Sequence, residues 1–203
     1  MPKRVRTHVN PLSILKEVSF AGFDNKNPIW VDVGACKGEF FYQLAKKFPD
    51  KNFILFEIRK PLYFKLLKLF PIEDFPNVRV FDGDAGRNFK AVLGGAVNKG
   101  VKIEKIFVNF PDPWFKERHK KRRFVNEKFL KETSEWINKD VEFIFQTDQK
   151  FLFDETLEVV KESPFTKIEF FKGSVFGIPT DWESAKLAAG DEIWRMRFGI
   201  NNL

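Results

Sequence analysis

The feature that most constrains the fold of this chain is a regular alternation of apolar, β-rich runs with segments of helical periodicity. The five runs typical of strands are 29–33, 53–56, 78–81, 105–110 and 142–146. Helical patterns lie at 38–48, from near Pro61, at about 126–137 and at about 149–161. Strands that alternate with helices form βαβ units, whose sheet is mostly parallel and covered by helices on both faces.

The C-terminal part breaks this alternation. Residues 168–171 and 193–198 are two further apolar runs, and no full βα unit is evident between them. A terminal antiparallel strand added to a parallel sheet explains this spacing. We therefore predict an α/β fold whose doubly wound sheet is mostly parallel and carries a C-terminal antiparallel strand.

Length and composition limit the class of protein. The 203 residues suffice for one domain, spanning 1–203, with a sizeable core. No apolar run approaches the roughly 18 residues that a membrane span needs, and none follows the basic N-terminus as in a secretory signal. One cysteine and two histidines exclude an internal disulfide and provide no metal-ligand cluster. We expect a cytoplasmic protein without a metal.

The net charge of +7 is concentrated in two short segments. Lys3, Arg4 and Arg6 lie in the first, and residues 116–123 contain six cations and one acid. The rest of the chain is nearly neutral. Such clustering is typical of contact with a polyanion, although solvated charge runs also produce it. We expect the basic segment 1–12 to be mobile without a ligand.

The loop after the first predicted strand lies where a doubly wound sheet binds its ligand. A dinucleotide pattern G-x-G-x-x-G begun at Gly34 fails, because Cys36 and Glu39 replace the required glycines. The phosphate-loop pattern also fails at its glycine and lysine positions. A methyl-donor loop needs an acid on the strand, a turn of small residues and a glycine before the helix. Asp32, Gly34 and Gly38 meet these needs.

Acidic residues follow the next two strands as well. Glu57 ends the second strand, where a carboxylate can accept hydrogen bonds from both hydroxyls of a ribose. Asp84 follows the third strand, where a short polar side chain can hold an adenine amino group. Each acid alone is equally consistent with a helix cap or a turn. Acids after three consecutive strands favour a site for an adenosine-containing ligand.

The most distinctive stretch is 109–123, which begins where the fourth strand ends. Pro111 and Pro113 stiffen a turn and fix the directions of Asp112 and Trp114. Six cations follow at once. The sequence therefore predicts that a polyanion backbone is held next to the donor loop.

This stretch resembles the signature of the bacterial tRNA (guanine-N7)-methyltransferases, which is roughly F-P/S-D-P-W-x-K-x-R-H-x-K-R-R. The matching positions are Asp112, Pro113, Trp114, Lys116, Arg118, His119, Lys121, Arg122 and Arg123. Further similar segments are the donor loop 32–38, Glu57, Asp84, the pair Thr147 and Asp148, and residues 179–183, which are similar to a T-x-[FY]-E motif. The sequence departs from the family pattern at Cys36, Asp181 and Trp182.

The resemblance implies a class I Rossmann-like fold, S-adenosyl-L-methionine as methyl donor, and a guanine in the tRNA variable loop as target. Donor contacts are implied at Asp32, Gly34, Gly38, Glu57, Asp84 and Asp112, of which Asp112 is also the implied catalytic residue. Guanine or RNA contacts are implied at Lys116, Asp148, Thr180 and Glu183. Contacts with the RNA backbone are implied at Arg118, His119, Lys120, Lys121, Arg122 and Arg123.

The implied reaction needs no general base, because guanine N7 offers a lone pair and carries no proton. Catalysis then rests on positioning and electrostatics, and carboxylates would stabilise the cationic product base. A base held by its Watson–Crick edge must be unstacked or lie in an open loop. Trp114 could stack on that base, although packing within the turn is the simpler interpretation. The pKa of His119 should be lowered by its cationic neighbours, which favours a phosphate contact over catalysis.

Other functions agree less well with these residues. A methyltransferase for proteins or small molecules would have no use for the cationic run. A nicotinamide-dependent reductase is disfavoured by the failed glycine pattern. An inactive tRNA-binding subunit would be expected to lack the acids, all of which are present. A methyltransferase for another RNA is the remaining alternative.

Overall fold

The computed structural model of this chain describes residues 10, 11 and 16–201. The strands are β1 (Ile29–Val33), β2 (Asn52–Glu57), β3 (Val78–Asp82), β4 (Ile103–Asn109), β5 (Glu142–Thr147), β6 (Lys167–Phe170) and β7 (Trp194–Gly199). The α-helices are α1 (Glu39–Lys47), α2 (Lys60–Leu69), α3 (Ala85–Asn98), α4 (Glu127–Ser134), α5 (Lys150–Lys161) and α6 (Asp181–Ala188). The basic run forms a 3₁₀ turn at Glu117–Arg122. Of the predicted mobile segment 1–12, only residues 10 and 11 lie within the described residues.

Within the described residues, all seven strands belong to one sheet, in the order β3-β2-β1-β4-β5-β7-β6. Strands β1 to β5 pair in parallel. Strand β7 pairs antiparallel with β5 on one side and with β6 on the other. This topology confirms the predicted α/β fold with a mostly parallel sheet and a C-terminal antiparallel strand.

Alternate residues along the strands enter two cores, one on each face of the sheet. On β2, for example, Ile54 and Phe56 pack with α3, α4 and α5, whereas Phe53 and Leu55 pack with α1 and α2. Because both faces are covered, the parallel strands are nearly continuous apolar runs, which is why they could be recognised from the sequence.

Two helices were not predicted, and one was predicted too long. Helix α3 contains Gly86, Gly94 and Gly95, each of which lowers intrinsic helix propensity. Helix α6 lies between β6 and β7, where no βα unit was evident. Helix α4 ends at Ser134 rather than near residue 137. No helix in the described part of the chain is long and apolar enough to cross a membrane.

The strand order reverses between β1 and β4. Helices that follow the strands on either side of this point cover opposite faces of the sheet, so a crevice opens beyond the carboxyl ends of these two strands. The donor loop follows β1, and the Pro-Asp-Pro-Trp turn follows β4. The fold therefore brings the two predicted halves of the site to one edge of the sheet.

Candidate active site at the carboxyl ends of the strands

Backbone strain is concentrated in the two loops at this edge. In the described residues, four non-glycine residues have positive φ, and three of them are Cys36 (56°) in the donor loop and Phe110 (49°) and Trp114 (44°) after β4. Left-handed backbone costs free energy for such residues, so it persists only where the surrounding structure holds it. Strained segments of this kind cluster at functional sites.

The donor loop is anchored to the end of β2 through its backbone. The amides of Gly34 and Ala35 both donate to the Phe56 carbonyl, at 2.9 Å each. Gly38 caps α1 with φ 82°, and a Cβ added there would lie 2.4 Å from Leu66 Cδ2, so Gly38 allows α1 and α2 to pack closely. Gly34, with φ 83°, has no atom within 4 Å of an added Cβ, which leaves its side of the loop open to a ligand.

Glu57 is buried at the end of β2, and both of its carboxylate oxygens accept hydrogen bonds. Oε2 accepts from the Cys36 amide at 2.8 Å and from Arg59 Nη2 at 3.0 Å. Oε1 accepts from the backbone amide and from Nε of Arg59, at 2.8 and 2.9 Å. The Arg59 guanidinium thus holds the oxygens that a ribose diol would need. A ribose bound at Glu57 has to share or displace these bonds.

Asp32 precedes the last residue of β1 and is only 5% exposed. Burial, followed by the negative charge of Glu57, raises the pKa of the Asp32 carboxyl well above its usual range. A carboxylate in such surroundings is stabilised when a cation or hydrogen-bond donors replace the lost water. The two acids therefore suit a ligand that is cationic and carries hydroxyl groups, as S-adenosylmethionine does.

Asp84 caps α3 in this structure. Its side chain accepts a hydrogen bond from the Arg87 amide at 2.9 Å, and burial raises its pKa. The neighbouring Asp82 pairs with Lys16 at 2.8 Å, and the buried Asn88 donates to the Lys16 carbonyl at 3.0 Å. The segment that begins at Lys16 therefore crosses the carboxyl end of β3. A contact of Asp84 with adenine stays a prediction.

The Pro-Asp-Pro-Trp turn is held by neighbouring elements, with Asp112 partly buried at its centre. The Phe110 amide donates to a backbone carbonyl of β5 at 2.8 Å. The Arg123 guanidinium donates to the Pro113 carbonyl at 3.0 Å and to the carbonyl of the turn tryptophan at 3.3 Å. Arg123 also pairs with Glu155 of α5, and its side chain is only 10% exposed. It clamps the turn, and its contact with the RNA backbone stays a prediction.

The six cations between residues 116 and 123 divide into exposed and internally engaged ones. The exposed ones are Lys116, Arg118 and Lys121. Arg122 lies over the Trp114 ring, 4.9 Å from its centroid, and the His119 ring meets the same indole nearly edge-on at 5.7 Å. Lys120 forms ion pairs with Glu117 at 2.8 Å and with Glu155 of α5 at 3.3 Å. About half of the basic run therefore supports the turn itself.

The electrostatic surroundings of His119 agree with the sequence prediction. Partial removal from water, followed by the positive charges of Arg122, Arg118 and Lys116, lowers the pKa of the His119 imidazole. In the free protein at neutral pH the ring is therefore mostly uncharged, and it can donate a hydrogen bond to a phosphate. The packing of Trp114 beneath Arg122 and His119 agrees with the simpler of its two interpretations.

Ion pairs link helix α6 both to the residue after β5 and to the donor loop. Asp148, which follows β5, pairs with Lys186 of α6 at 2.9 Å. Burial alone would raise the pKa of Asp148, but the Lys186 ammonium and the Gln149 amide outweigh it and hold this pKa below its usual value. Lys37 of the donor loop pairs with Asp181 at the start of α6, also at 2.9 Å. The Asp148 carboxylate is therefore ionised and fixed in position at neutral pH.

Thr180 and Glu183 form a capping box at the start of α6. The Thr180 hydroxyl accepts from the Glu183 amide at 3.1 Å, and Glu183 Oε2 accepts from the Thr180 amide at 3.3 Å. Glu183 is fully buried, and its Oε1 accepts from Arg195 Nη2 and from the Ser174 hydroxyl, at 2.7 Å each. Arg195 also donates to Gln146 Oε1 at 3.2 Å. Glu183 is thus the centre of a buried polar network, and its contact with guanine stays a prediction.

Sequence reasoning missed three cations that pair with predicted site acids, namely Arg59, Lys186 and Arg195. Arg195 did carry a signal, because a charged residue inside an apolar strand needs a buried partner. The spacing of Thr180 and Glu183 before a helix is likewise the signal of a capping box. Arg59 and Lys186 lie outside the predicted apolar strands, where a cation carries no such signal.

Comparisons with known proteins agree with this geometry. Residues 26–196 match the protein family described as "Putative methyltransferase". A tRNA (guanine-N(7)-)-methyltransferase of Alkaliphilus oremlandii is 31% identical over 198 residues, which cover 95% of this chain and 91% of that protein. A protein of the same name from Pediococcus pentosaceus is 30% identical over 207 residues, covering 97% and 94% of the two chains.

Solved structures show the same fold at lower identity. An S-adenosylmethionine-dependent O-methyltransferase from Thermotoga maritima superposes with a TM-score of 0.57 at 16% identity, over 88% of this chain and 62% of that one. Human methyltransferase-like protein 13, in complex with S-adenosylhomocysteine, superposes with a TM-score of 0.56 at 16% identity, over 85% and 71%. The predicted class I Rossmann-like fold is confirmed, and the chain belongs to the tRNA (guanine-N(7)-)-methyltransferase family.

Proposed function

We propose that this protein transfers a methyl group from S-adenosyl-L-methionine to N7 of a guanine in the variable loop of tRNA, in the cytoplasm. The observation that carries the proposal is the strained Pro-Asp-Pro-Trp turn. This turn leaves the sheet near the buried carboxylates of Asp32 and Glu57, at the carboxyl ends of β1 and β2, and continues directly into exposed cations. One edge of the sheet can therefore receive both an adenosyl ligand and a polyanion.

The residues to hold the donor are the acids after β1, β2 and β3. S-adenosylmethionine supplies, when bound, an electrophilic methyl group on a positively charged sulphur. The buried Asp32 favours a positive charge nearby, and Glu57 accepts hydrogen bonds from ribose hydroxyls once Arg59 shares or yields its place. Asp84 accepts from the adenine amino group, and Gly34 leaves the loop open on the ligand side.

The residues that face the base work by orientation and charge. Guanine N7 has no proton to remove, so none of these residues has to act as a base. Asp112 orients the purine against the donor, and the ionised Asp148 accepts from its Watson–Crick edge and favours the positive charge that develops on the ring. Thr180 and Glu183 lie on the same side of the base as Asp148. Their capping box, and the ion pair of Glu183 with Arg195, hold them rigid.

The exposed cations bind the RNA backbone. Among the described residues, Lys116, Arg118 and Lys121 have no ion pair of the kind that engages Arg123 and Lys120, and they neutralise phosphates. His119 adds a neutral hydrogen bond, and Arg122 joins the phosphate contacts from its position over the turn tryptophan.

Mass spectrometry of nucleosides tests the proposal directly. An unmodified tRNA transcript incubated with the protein and isotopically labelled S-adenosylmethionine should yield labelled 7-methylguanosine after digestion. A transcript made with 7-deazaguanosine, which lacks N7, is the matched control and should stay unlabelled. Label in another nucleoside, label in the 7-deaza transcript, or no label at all would contradict the proposal.

A further inference from the structure

Phe115 is the most exposed large apolar side chain in the described part of the chain, with 68% of its surface accessible. It directly follows Trp114, where positive φ turns the backbone at the end of the Pro-Asp-Pro-Trp turn. The donor site and the implied guanine contacts make no use of it. Single exposed apolar residues are common on protein surfaces, so the surroundings of this ring decide what it can do.

The Phe115 ring has a fixed support. Its centroid lies 5.3 Å from that of Phe151, with 37° between the ring planes. Phe151 lies in the first turn of α5 and packs against the core, and Arg123 lies over its ring at 5.6 Å. The exposed ring is therefore held in place before any ligand arrives, and little conformational entropy is lost when its open face is covered.

The charges around Phe115 indicate what covers that face. Lys116 is the next residue, and Arg118 and Lys121 follow in the same turn, all of them exposed. An exposed aromatic ring beside a row of cations is the arrangement with which proteins bind single-stranded RNA, where the ring stacks on a base and the cations contact phosphates. The indole of Trp114 is already engaged by Arg122 and His119, so Phe115 presents the open aromatic face of this turn.

On the basis of the proposed function, we propose that Phe115 stacks on an unpaired base of tRNA that neighbours the target guanine. A ring that is two-thirds exposed covers one face of a base and cannot enclose it, whereas the target guanine needs edge contacts deeper in the crevice. The platform formed by Phe115 and Phe151 therefore holds the flanking nucleotide. This keeps the RNA unstacked at the point where the target base enters the site.

Alanine and tyrosine substitutions at Phe115 test this role in binding. Phe115→Ala should weaken tRNA binding roughly 5- to 100-fold, which corresponds to the loss of one base stack. The salt dependence of binding, the donor affinity and the thermal midpoint should stay at the parent's values, because no cation and no buried group is removed. Phe115→Tyr should restore binding to within about twofold, since the stacking face is kept.

Phe170 provides a matched control. It is 59% exposed, and its ring contacts Phe153 of the same helix α5 at 5.9 Å, but it lies on the edge strand β6. Phe170→Ala should bind tRNA like the parent. If Phe115→Ala also binds like the parent, or if it weakens binding only by reducing the salt dependence, the platform is excluded.

A tRNA with an abasic nucleotide on either side of the target guanine locates the contact. One of these two RNAs should bind the parent protein more weakly than intact tRNA does. The same RNA should bind Phe115→Ala only slightly more weakly than intact tRNA does, because the abasic site and the substitution each remove the same stack. Equal losses for the parent and for Phe115→Ala with both RNAs would overturn the inference. A parent protein that methylates tRNA while these comparisons fail leaves the proposed function intact; a parent that does not methylate tRNA contradicts the proposed function itself.

Discussion

Near the carboxyl ends of β1 and β2 the important charges are carboxylates that the fold removes from water, whereas in the turn after β4 they are cations, half of which the fold leaves in water. Asp32 and Glu57 are 5% and 1% exposed, and Glu57 accepts four hydrogen bonds from Cys36 and Arg59. In the basic run, Arg123 is 10% exposed and clamps the turn, while Lys121 lies in solvent. The number of charges in a sequence therefore differs from the number available to a ligand.

The largest effect is expected at Glu183, a predicted substrate residue that lies at the centre of a buried polar network. Glu183→Gln should lower the free energy of unfolding by about 3–5 kcal/mol, because it leaves the buried charge of Arg195 without its partner. Asp181→Asn, an exposed acid in the same turn of α6, should change it by less than about 1 kcal/mol. Urea unfolding measures both. If Glu183→Gln unfolds like the parent and loses only methyl transfer, then Glu183 contacts the substrate and its buried polar network does not stabilise the fold.

At the centre of the turn, Asp112→Ala should lower kcat for methyl transfer roughly 100- to 1,000-fold, because the group that orients the purine is lost. Binding of tRNA, measured by gel shift, should stay within a few-fold of the parent. Glu117→Ala, an exposed acid five residues further on, serves as the control and should turn over like the parent. Near-normal turnover of Asp112→Ala would remove Asp112 from its assigned role.

On the donor side, Glu57→Gln should weaken S-adenosylmethionine binding by about 1.5–3 kcal/mol, because hydrogen bonds from ribose to a charged acceptor are lost. Glu104→Gln, a partly buried acid near the amino end of β4, should leave the affinity unchanged. Calorimetric titration compares the two variants. Equal affinity for Glu57→Gln and the parent would show that Glu57 serves only the loop and Arg59.

On the RNA side, substitutions of two nearby cations, Lys121 and Arg123, should have different effects on RNA binding and on stability. Lys121→Ala should reduce the slope of log affinity against log salt by about 0.7–0.9, the value of one phosphate contact, and should leave the unfolding free energy unchanged. Arg123→Ala should lower the unfolding free energy by about 1–3 kcal/mol, because the Pro113 and Trp114 carbonyls lose their donor. Its salt slope should stay close to that of the parent. The reverse pattern would mean that Arg123 binds RNA and Lys121 is merely solvated.

The last effect is a pH dependence at Asp32. Its pKa is higher in the folded chain than in the unfolded one, so the stability that protonation supplies is present at low pH and is lost as the pH rises through the folded-state pKa. Asp32→Asn carries no such titration. The stability of this variant relative to the parent should therefore increase from about pH 4 upward, the unfolded-state pKa of an aspartate. Urea unfolding of both proteins over this pH range measures the difference, and a constant difference would contradict the expectation.

Sequence patterns predicted the strands well because burial on both faces makes them continuous apolar runs. They missed α3, whose three glycines reduce a propensity signal that packing against the sheet overrides. They also missed α6, although Thr180 and Glu183 carried the spacing of a capping box. The family resemblance, which predicts substrate recognition, and the local signal of a helix start involve the same two residues.

By itself, the sequence determined which chemical groups reach the carboxyl edge of the sheet, because position after a parallel strand follows from local periodicity and chain direction. It also determined the stiff turn at Asp112 and the cations that follow it. Only the tertiary structure decided which charges are engaged, since Arg123, Lys186 and Arg195 each pair with a buried or half-buried acid that is distant in the sequence and brought close by the fold. Burial and pairing depend on what packs around a side chain, and a linear pattern contains no record of those distances.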